Sequence, residues 1–387
     1  MKNKKISGSP KNQGFFGELT LKDLYSKFRD PNTIKVLKKE IEKEALKLKE
    51  PMRVMEICGG HTHTIMKYGI KQILPDNITF IHGPGCPVCV MPKERIDHAI
   101  ILAKQPDVIL ATLGDMIRVP GSNSSLAKAR AEGANVVPLH STLDVLKIAK
   151  ENPDKKVVFF AIGFETTTPM TAALMKRAFS EGVKNIYYHI NHVLVPPPMK
   201  AIMDGGEAKI NAFIGPSHVS VIIGAKAYEF LVKDYNTPVV VAGFEPVDVM
   251  ESILMLLKQK NEGRCEVEIQ YKRATTYEGN TLAQKMIEEF MEVRDSFRWR
   301  GLGDIPKSAL KLKDEYSKFD AEKVWADILP NEPIDDHKLC ICGKILKGLA
   351  TPKDCKVFAT ACTPSNPLGS CMVSDEGACN AYYRYGR

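Results

Sequence analysis

Between residues 53 and 257 short apolar runs alternate with stretches of helical periodicity. The runs at 54–57, 78–82, 108–112, 157–162, 186–190, 212–214 and 239–242 are rich in Val, Ile and Phe, and several are bounded by Gly or Pro. Runs of this kind read as strands buried on both faces. The segments 95–104, 124–132, 143–151 and 170–180 carry apolar residues at helical spacing. Strands alternating with helices predict parallel α/β architecture, since a parallel crossover is usually a helix that covers a sheet face.

Two echoes suggest internal similarity. Phe80-Ile81-His82-Gly83-Pro84 is answered by Phe213-Ile214-Gly215-Pro216, and Gly163-Phe164-Glu165 by Gly243-Phe244-Glu245. They predict two similar parallel-sheet α/β domains, 51–152 and 153–262, parted at Asn152-Pro153-Asp154. After residue 257 the pattern changes. An extended strand is expected at 264–275 and a helix at 280–294, followed by a Gly- and Pro-rich tail with little periodicity. Residues 263–387 thus form a third, loop-rich unit, which predicts an internal staple in place of a large core. The amino-terminal segment, 1–50, carries helical pattern from about 21 onwards and is expected to pack on that third unit.

Composition narrows the function. A chain of 387 residues with 44% hydrophobic composition buries an ample core. No apolar run approaches the ~20 residues of a bilayer span, and the basic first fourteen residues lack the apolar stretch of a secretory signal. A cytoplasmic protein is expected. The net charge of +8 comes largely from those residues and from 35–50, where acids are interleaved in a helical pattern. No aromatics punctuate the basic residues as they would on a nucleic-acid surface, so neither nucleic acid nor membrane is an expected partner.

Ten cysteines in such a chain point to metal binding or thiol chemistry, because stable disulfides are disfavoured in the cytoplasm. They are grouped: Cys58, Cys86 and Cys89 lie early, six lie in the last fifty residues, and Cys265 stands alone. Cys58-Gly59-Gly60-His61-Thr62-His63 follows a predicted strand, at the sheet edge where open α/β folds bind ligands. Cys and His there suit a transition metal, and a glycine turn for a nucleotide with an incidental Cys is the plainer alternative. Gly83-Pro84-Gly85-Cys86-Pro87-Val88-Cys89 follows another strand. A helix start there is expected to lower the thiol pKa, and redox chemistry or shared iron ligation is favoured over zinc because the chain has no second C-x-x-C.

In the tail Cys340, Cys355, Cys362 and Cys379 are separated by fourteen, six and sixteen residues. Four thiolates suit a [4Fe–4S] cluster or a structural zinc equally. Cys342 and Cys371 are spare and read as buried structural thiols, although Cys342 is able to replace Cys340. Glu165, within Gly163-Phe164-Glu165-Thr166-Thr167-Thr168-Pro169, and His218, within Gly215-Pro216-Ser217-His218-Val219, stand at strand ends and are candidates for the same cleft. Asp115 and Asp248 are weaker ones. A helix N-cap would account for Thr167 or Thr168 without function.

Taken together, CGGHTH at 58–63, GPGCPVC at 83–89, GDMIRVPGS at 114–122, GFETTTP at 163–169, AGFEPVD at 242–248, WRGLG at 299–303 and CMVSDEGACNAYYRYG at 371–386 resemble the HypD family of hydrogenase-maturation factors. The resemblance runs from about residue 21 to 387. Ser217 departs from the family's Gly and Ile269 from its Asn. The resemblance implies a scaffold for the Fe(CN)2CO unit of [NiFe] hydrogenase, working with a small HypC-type chaperone and a HypE-type donor that presents cyanide as a thiocyanate. It implies that Cys58 is an iron ligand with His61 nearby, and that Cys86 and Cys89 are a redox pair or auxiliary ligands. It further implies that Cys340, Cys355, Cys362 and Cys379 hold a [4Fe–4S] cluster. The alternatives are a thiol–disulfide oxidoreductase using the Cys86–Cys89 pair and an assembly platform whose cluster is structural.

Overall fold

The computed structural model describes residues 26–386. Every expected apolar run between 53 and 257 forms a strand, and two more join them, β4 and, from the extended stretch expected at 264–275, β9: β1 (Met52–Glu56), β2 (Ile78–His82), β3 (Val108–Leu113), β4 (Val136–Leu139), β5 (Lys156–Gly163), β6 (Ile186–His192), β7 (Ala212–Pro216), β8 (Val239–Ala242) and β9 (Val267–Ile269). β4, which contains Pro138, is the run the pattern did not announce. It lies at an edge, where a missing N–H is tolerated. The strands build two parallel sheets, ordered β2-β1-β7-β8-β9 and β4-β3-β5-β6. In the first, Val54 stands opposite Phe80 on one side and Ala212 on the other. In the second, Ala111 stands opposite Val137 and Phe159.

This pairing corrects the expected division of the chain. β3 and β5 are neighbours in one sheet, although Asn152-Pro153-Asp154 lies between them. The chain lays down β1 and β2, leaves to build the whole second sheet from β3 to β6, and returns with β7 to β9. The echo between Phe80 and Phe213 therefore marks β2 and β7, which flank β1 in the same sheet. Local similarity reported equivalent strands, and hydrogen-bond partners separated by more than a hundred residues left no local trace.

The amino-terminal helix also sits elsewhere than expected. Pro31–Ala45 begins with Asp30 as its cap, whose carboxylate accepts from Thr33 N at 2.8 Å, and with Pro at the first turn. Its buried Ile41 and Ala45 join Ile253, Leu256 and Leu257 of the helix Pro246–Glu262 on the first sheet. Asn261 Nδ2 donates to Glu44 at 2.8 Å. The helix thus completes the cover of the first sheet, whose apolar face needed a partner; of the expected segment, Phe28 reaches the third unit, with the Arg273 guanidinium 4.3 Å from its ring centre. The portion of the expected helical segment before residue 26 lies outside the described residues.

In the tail only Val267–Ile269 of the expected strand is extended, and Asn280 caps the helix Thr281–Phe290. Two small antiparallel pairs follow, Met291–Val293 with Leu310–Leu312 and Ser296–Trp299 with Gly303–Pro306. Beyond them the chain is loop-rich, as expected. Its apolar side chains, among them Ile345, Leu346, Val357 and Met372, are continuous with Met55 and Ile57 of the first sheet region and Phe160 and Ile162 of the second. The last helix, Ala378–Tyr385, packs on the helix Gly59–Lys67. Arg95 and Arg294 both pair with Glu322, which ties the tail to the second sheet.

Candidate functional site

The carboxyl ends of strands from both sheets face a cleft of about 800 Å³. Loops after β1, β2, β3, β5, β7 and β8 bring to it Cys58, Cys86, Asp115, Thr166, His218 and Phe244. Parallel sheets present their strand-end loops on one side, which is why motifs scattered over nearly two hundred residues meet here. The tail adds Ser374, Asp375 and Glu376 to the wall. Sequence reasoning did not single out those three; the string running from Cys371 through Gly377 was their only signal.

Cys58 and Cys86 are held together by backbone contact. Gly59 N donates to Gly85 O at 3.0 Å. A Cβ on Gly85 would stand 2.4 Å from Cys58 Cα, so only glycine allows this approach. Beneath the turn lies the fully buried Glu56. Its carboxylate accepts from Cys58 N at 3.1 Å, from the Thr62 hydroxyl, and from His82 Nδ1 at 2.6 Å. Burial pushes the Glu56 carboxyl up, against the pull of His82. The half-buried Cys58 thiol is held well above its ordinary value, first by burial and then by Glu376.

His61 is oriented by two carbonyls. Nε2 lies 3.1 Å from Ala242 O and 3.0 Å from Gly243 O, so Nε2 carries the proton. Nδ1 is buried with no hydrogen-bond partner. Burial lowers the pKa to about 4, and the ring is neutral at pH 7. Phe244 lies between two imidazoles, with its centroid 4.7 Å from that of His61 and 4.5 Å from that of His218.

Not every candidate reaches the cleft. Cys89 is buried and turned to the tail: its thiol lies 3.9 Å from Ser370 O, and the Ser370 hydroxyl donates to Cys89 O at 2.6 Å. Its thiol is raised by burial and by the neighbouring Cys371 and Cys86, contrary to the lowering expected from a helix start. The helix concerned, Pro87–Val90, is a single turn with little dipole to offer. Glu165 accepts from Val195 N at 2.9 Å, leaves its other oxygen buried without a partner, and is pushed up to about 7 by burial. Thr167 stands at the helix N-cap position without a capping bond, donating to Phe164 O at 3.2 Å. Asp248 is fully buried and paired with Arg273.

The tail cysteines gather. Cys340, Cys355, Cys362 and Cys379 share the wall of a small pocket with Ile345, Val357 and Met372, and Cys342 lies there too. Soft thiols in an apolar wall are the donor set that iron–sulfur clusters take. Among the described residues no three His, Cys, Asp or Glu side chains converge on single-ion geometry. The two cysteines read as spare occupy a connecting position. Cys371 is hydrogen-bonded to both Cys342 and Cys89, and these contacts lower its thiol to about 6. Cys342 in turn contacts Cys340 and Cys379. Sulfur contacts therefore run from Cys89, whose neighbour Cys86 lines the cleft, through Cys371 and Cys342 to the tail pocket.

Comparison with known proteins agrees with the motif resemblance. The family model HypD, described as "Hydrogenase formation hypA family", matches residues 32–386. Hydrogenase maturation factor HypD of Rhizobium leguminosarum bv. viciae is 52% identical over 361 residues, 91% of this chain and 93% of its own. The namesake from Azotobacter vinelandii is 52% identical over 366 residues, 93% and 96% of the two chains. That from Escherichia coli is 43% identical over 362 residues, 92% and 96%. With the match running from the first helix to the last, this chain belongs to the HypD family of hydrogenase maturation factors.

Proposed function

We propose that this chain is the scaffold on which the Fe(CN)2CO unit of [NiFe] hydrogenase is assembled, with a HypC-type chaperone docked at the cleft and cyanide supplied by a HypE-type partner. The observation that carries the proposal is the meeting of Cys58 and Cys86 in one cleft, with a file of thiols leading from their neighbour Cys89 to a cysteine-lined pocket in the tail. Iron is cargo in this reading. Cys58, the half-exposed thiol at the sheet edge, supplies one ligand and leaves other positions to the chaperone's cysteine. Burial keeps that thiol protonated at neutral pH, so its proton is released as the metal binds. His61, neutral and fixed in its tautomer, keeps Nδ1 as an acceptor beside the Cys58 turn.

Taking cyanide from a thiocyanate leaves a thiolate and consumes two electrons. Oxidation of the Cys86/Cys89 dithiol to a disulfide delivers two electrons and releases two protons. Restoring the dithiol falls to Cys371, whose thiol is lowered by the Cys342 and Cys89 thiols beside it. Attack of Cys371 on the Cys89 sulfur frees Cys86 and forms a Cys89–Cys371 disulfide. Attack of Cys342 on Cys371 then frees Cys89 and leaves the oxidation on Cys342–Cys371. A [4Fe–4S] cluster held by Cys340, Cys355, Cys362 and Cys379 would supply single electrons at that end.

The test is infrared spectroscopy of the complex purified anaerobically with its chaperone. Cyanide and carbonyl stretching bands, lost in Cys58→Ala, are the expected result. A complex without bands that still reduces soluble disulfides would instead support a thiol–disulfide oxidoreductase.

A further inference from the structure

The file of thiols ends at the tail pocket, so the electrons it carries must reach that pocket from outside the chain. The tail cysteines are not equally placed for this. Cys342, Cys362, Cys371 and Cys379 are buried, whereas Cys340 and Cys355 are half-exposed. The Cys355 thiol lies 3.7 Å from Leu339 O, which brings the two half-exposed cysteines to one stretch of surface. The contacts that lead inward to Cys89 run through the buried Cys342 and Cys371.

That stretch is apolar at two points and basic around them. Leu339 is 52% exposed and Leu349 42%. Lys338, Lys344 and Lys347 share a wall with Cys340 and Leu349, and Lys353 and Lys356 flank Cys355 in sequence. None of these five lysines makes an ion pair among the described residues. The carboxylates nearby are mostly engaged. Asp354 turns back on its own loop, accepting from Thr351 N at 2.7 Å. The wall beside Cys340 also carries Glu207, Asp335 and Asp336, of which Asp335 is held by Arg298 at 3.1 Å and Asp336 by Arg300 at 2.5 Å. Lys338, Lys344 and Lys347 thus face Glu207 alone.

We propose, on the reading of the tail pocket as a cluster site, that this stretch is the docking face for a small acidic one-electron carrier protein. Exposed leucines within a ring of like charge suit a transient partner of the opposite sign. The charge steers encounter and repels basic competitors, and the small apolar centre fixes the orientation without making the complex permanent. Each docking delivers one electron beside Cys340 and Cys355. Two reduced carriers are therefore oxidised, and two protons taken from water, for every Cys342–Cys371 disulfide reopened to two thiols.

Calorimetric titration of the full chain, purified anaerobically, tests the proposal with an acidic bacterial ferredoxin as probe and a basic cytochrome c as counter-probe. The visible absorption of the [4Fe–4S] centre is recorded first, and a chain that lacks it would refute the cluster site and the docking face together. With the absorption present, saturable ferredoxin binding is expected at about 20 mM salt, roughly tenfold or more tighter than that of the cytochrome and weakening as salt rises. Lys338→Glu/Lys344→Glu should weaken it about tenfold or more and flatten its salt dependence, with absorption and Tm retained. Leu339→Ser should weaken it several-fold and leave the salt dependence intact. No saturable binding up to about 1 mM ferredoxin, or an affinity unchanged in both variants, would overturn the face and leave the cluster site standing. So would self-association or chaperone capture that the charge reversal abolishes while ferredoxin binding persists, which would assign the face to a second copy or to the chaperone.

Discussion

Gly85→Ala isolates the contact that brings the two early cysteine motifs together. The added Cβ would lie 2.4 Å from both Cys58 Cα and Cys58 N and 2.7 Å from Ile57 C. Ordinary contact needs about 3.5–4.0 Å, so the loop carrying Cys86 must retreat by about 1 Å or more, and the atoms it meets are backbone that cannot turn aside. Overpacking of this kind costs about 1–3 kcal/mol, seen as a fall of a few degrees in Tm. The functional loss should be larger than the loss of fold, since a misplacement of about 1 Å can cost roughly a hundredfold in rate. The assay pairs thermal unfolding with the rate at which a thiocyanate donor loads cyanide. Gly205→Ala serves as control, because a Cβ there meets nothing within 4 Å and the residue is itself exposed at the end of its helix. A Gly85→Ala protein that melts and loads like the parent would refute the reasoning, showing that the Cys58–Cys86 approach is neither tight nor required.

Cys355→Ser should abolish the broad visible absorption of a [4Fe–4S] centre and loosen the tail, whereas Cys58→Ser should retain it; loss of the absorption in Cys58→Ser would mean the two sites are one. Cys342→Ala should retain cluster iron but trap the oxidation as a Cys89–Cys371 disulfide in exchange with Cys86–Cys89 after a single turnover, as thiol counting and disulfide mapping would show. Iron that falls in Cys342→Ala and persists in Cys340→Ala would exchange the roles of those two residues. Glu165, raised to about 7 in the fold from 4.5, favours its protonated form. Its contribution is therefore fully present below pH 4.5 and is lost as pH rises through 7, a swing of up to about 3 kcal/mol. Glu165→Gln should accordingly gain Tm relative to the parent between pH 5 and pH 8, and a difference that stays flat with pH would show the carboxyl to be ionised throughout.

The seven strands expected between 53 and 257 were legible because each carries a mostly buried apolar run, and β2 and β8 begin and end where their composition does. The cysteine motifs were legible because thiols are rare and their chemistry does not depend on neighbours in space. Pairing is another matter. β1 lies between β2 and β7, the second more than a hundred and fifty residues away. No local feature of Met52–Glu56 encodes that choice, because parallel partners are selected by the packing of whole layers. The amino-terminal helix likewise shows an apolar stripe in its own residues but not the helix Pro246–Glu262 that covers it. Protonation was decided by tertiary structure as well. Cys371 looked like a filler thiol and becomes the acidic one because Cys342 and Cys89 donate to it, while Cys89 looked activated and is raised by burial. Residue type determined which atoms were available for metal and thiol chemistry; the fold decided which of them touch, since hydrogen bonds and desolvation act only between groups that long-range packing has already brought together.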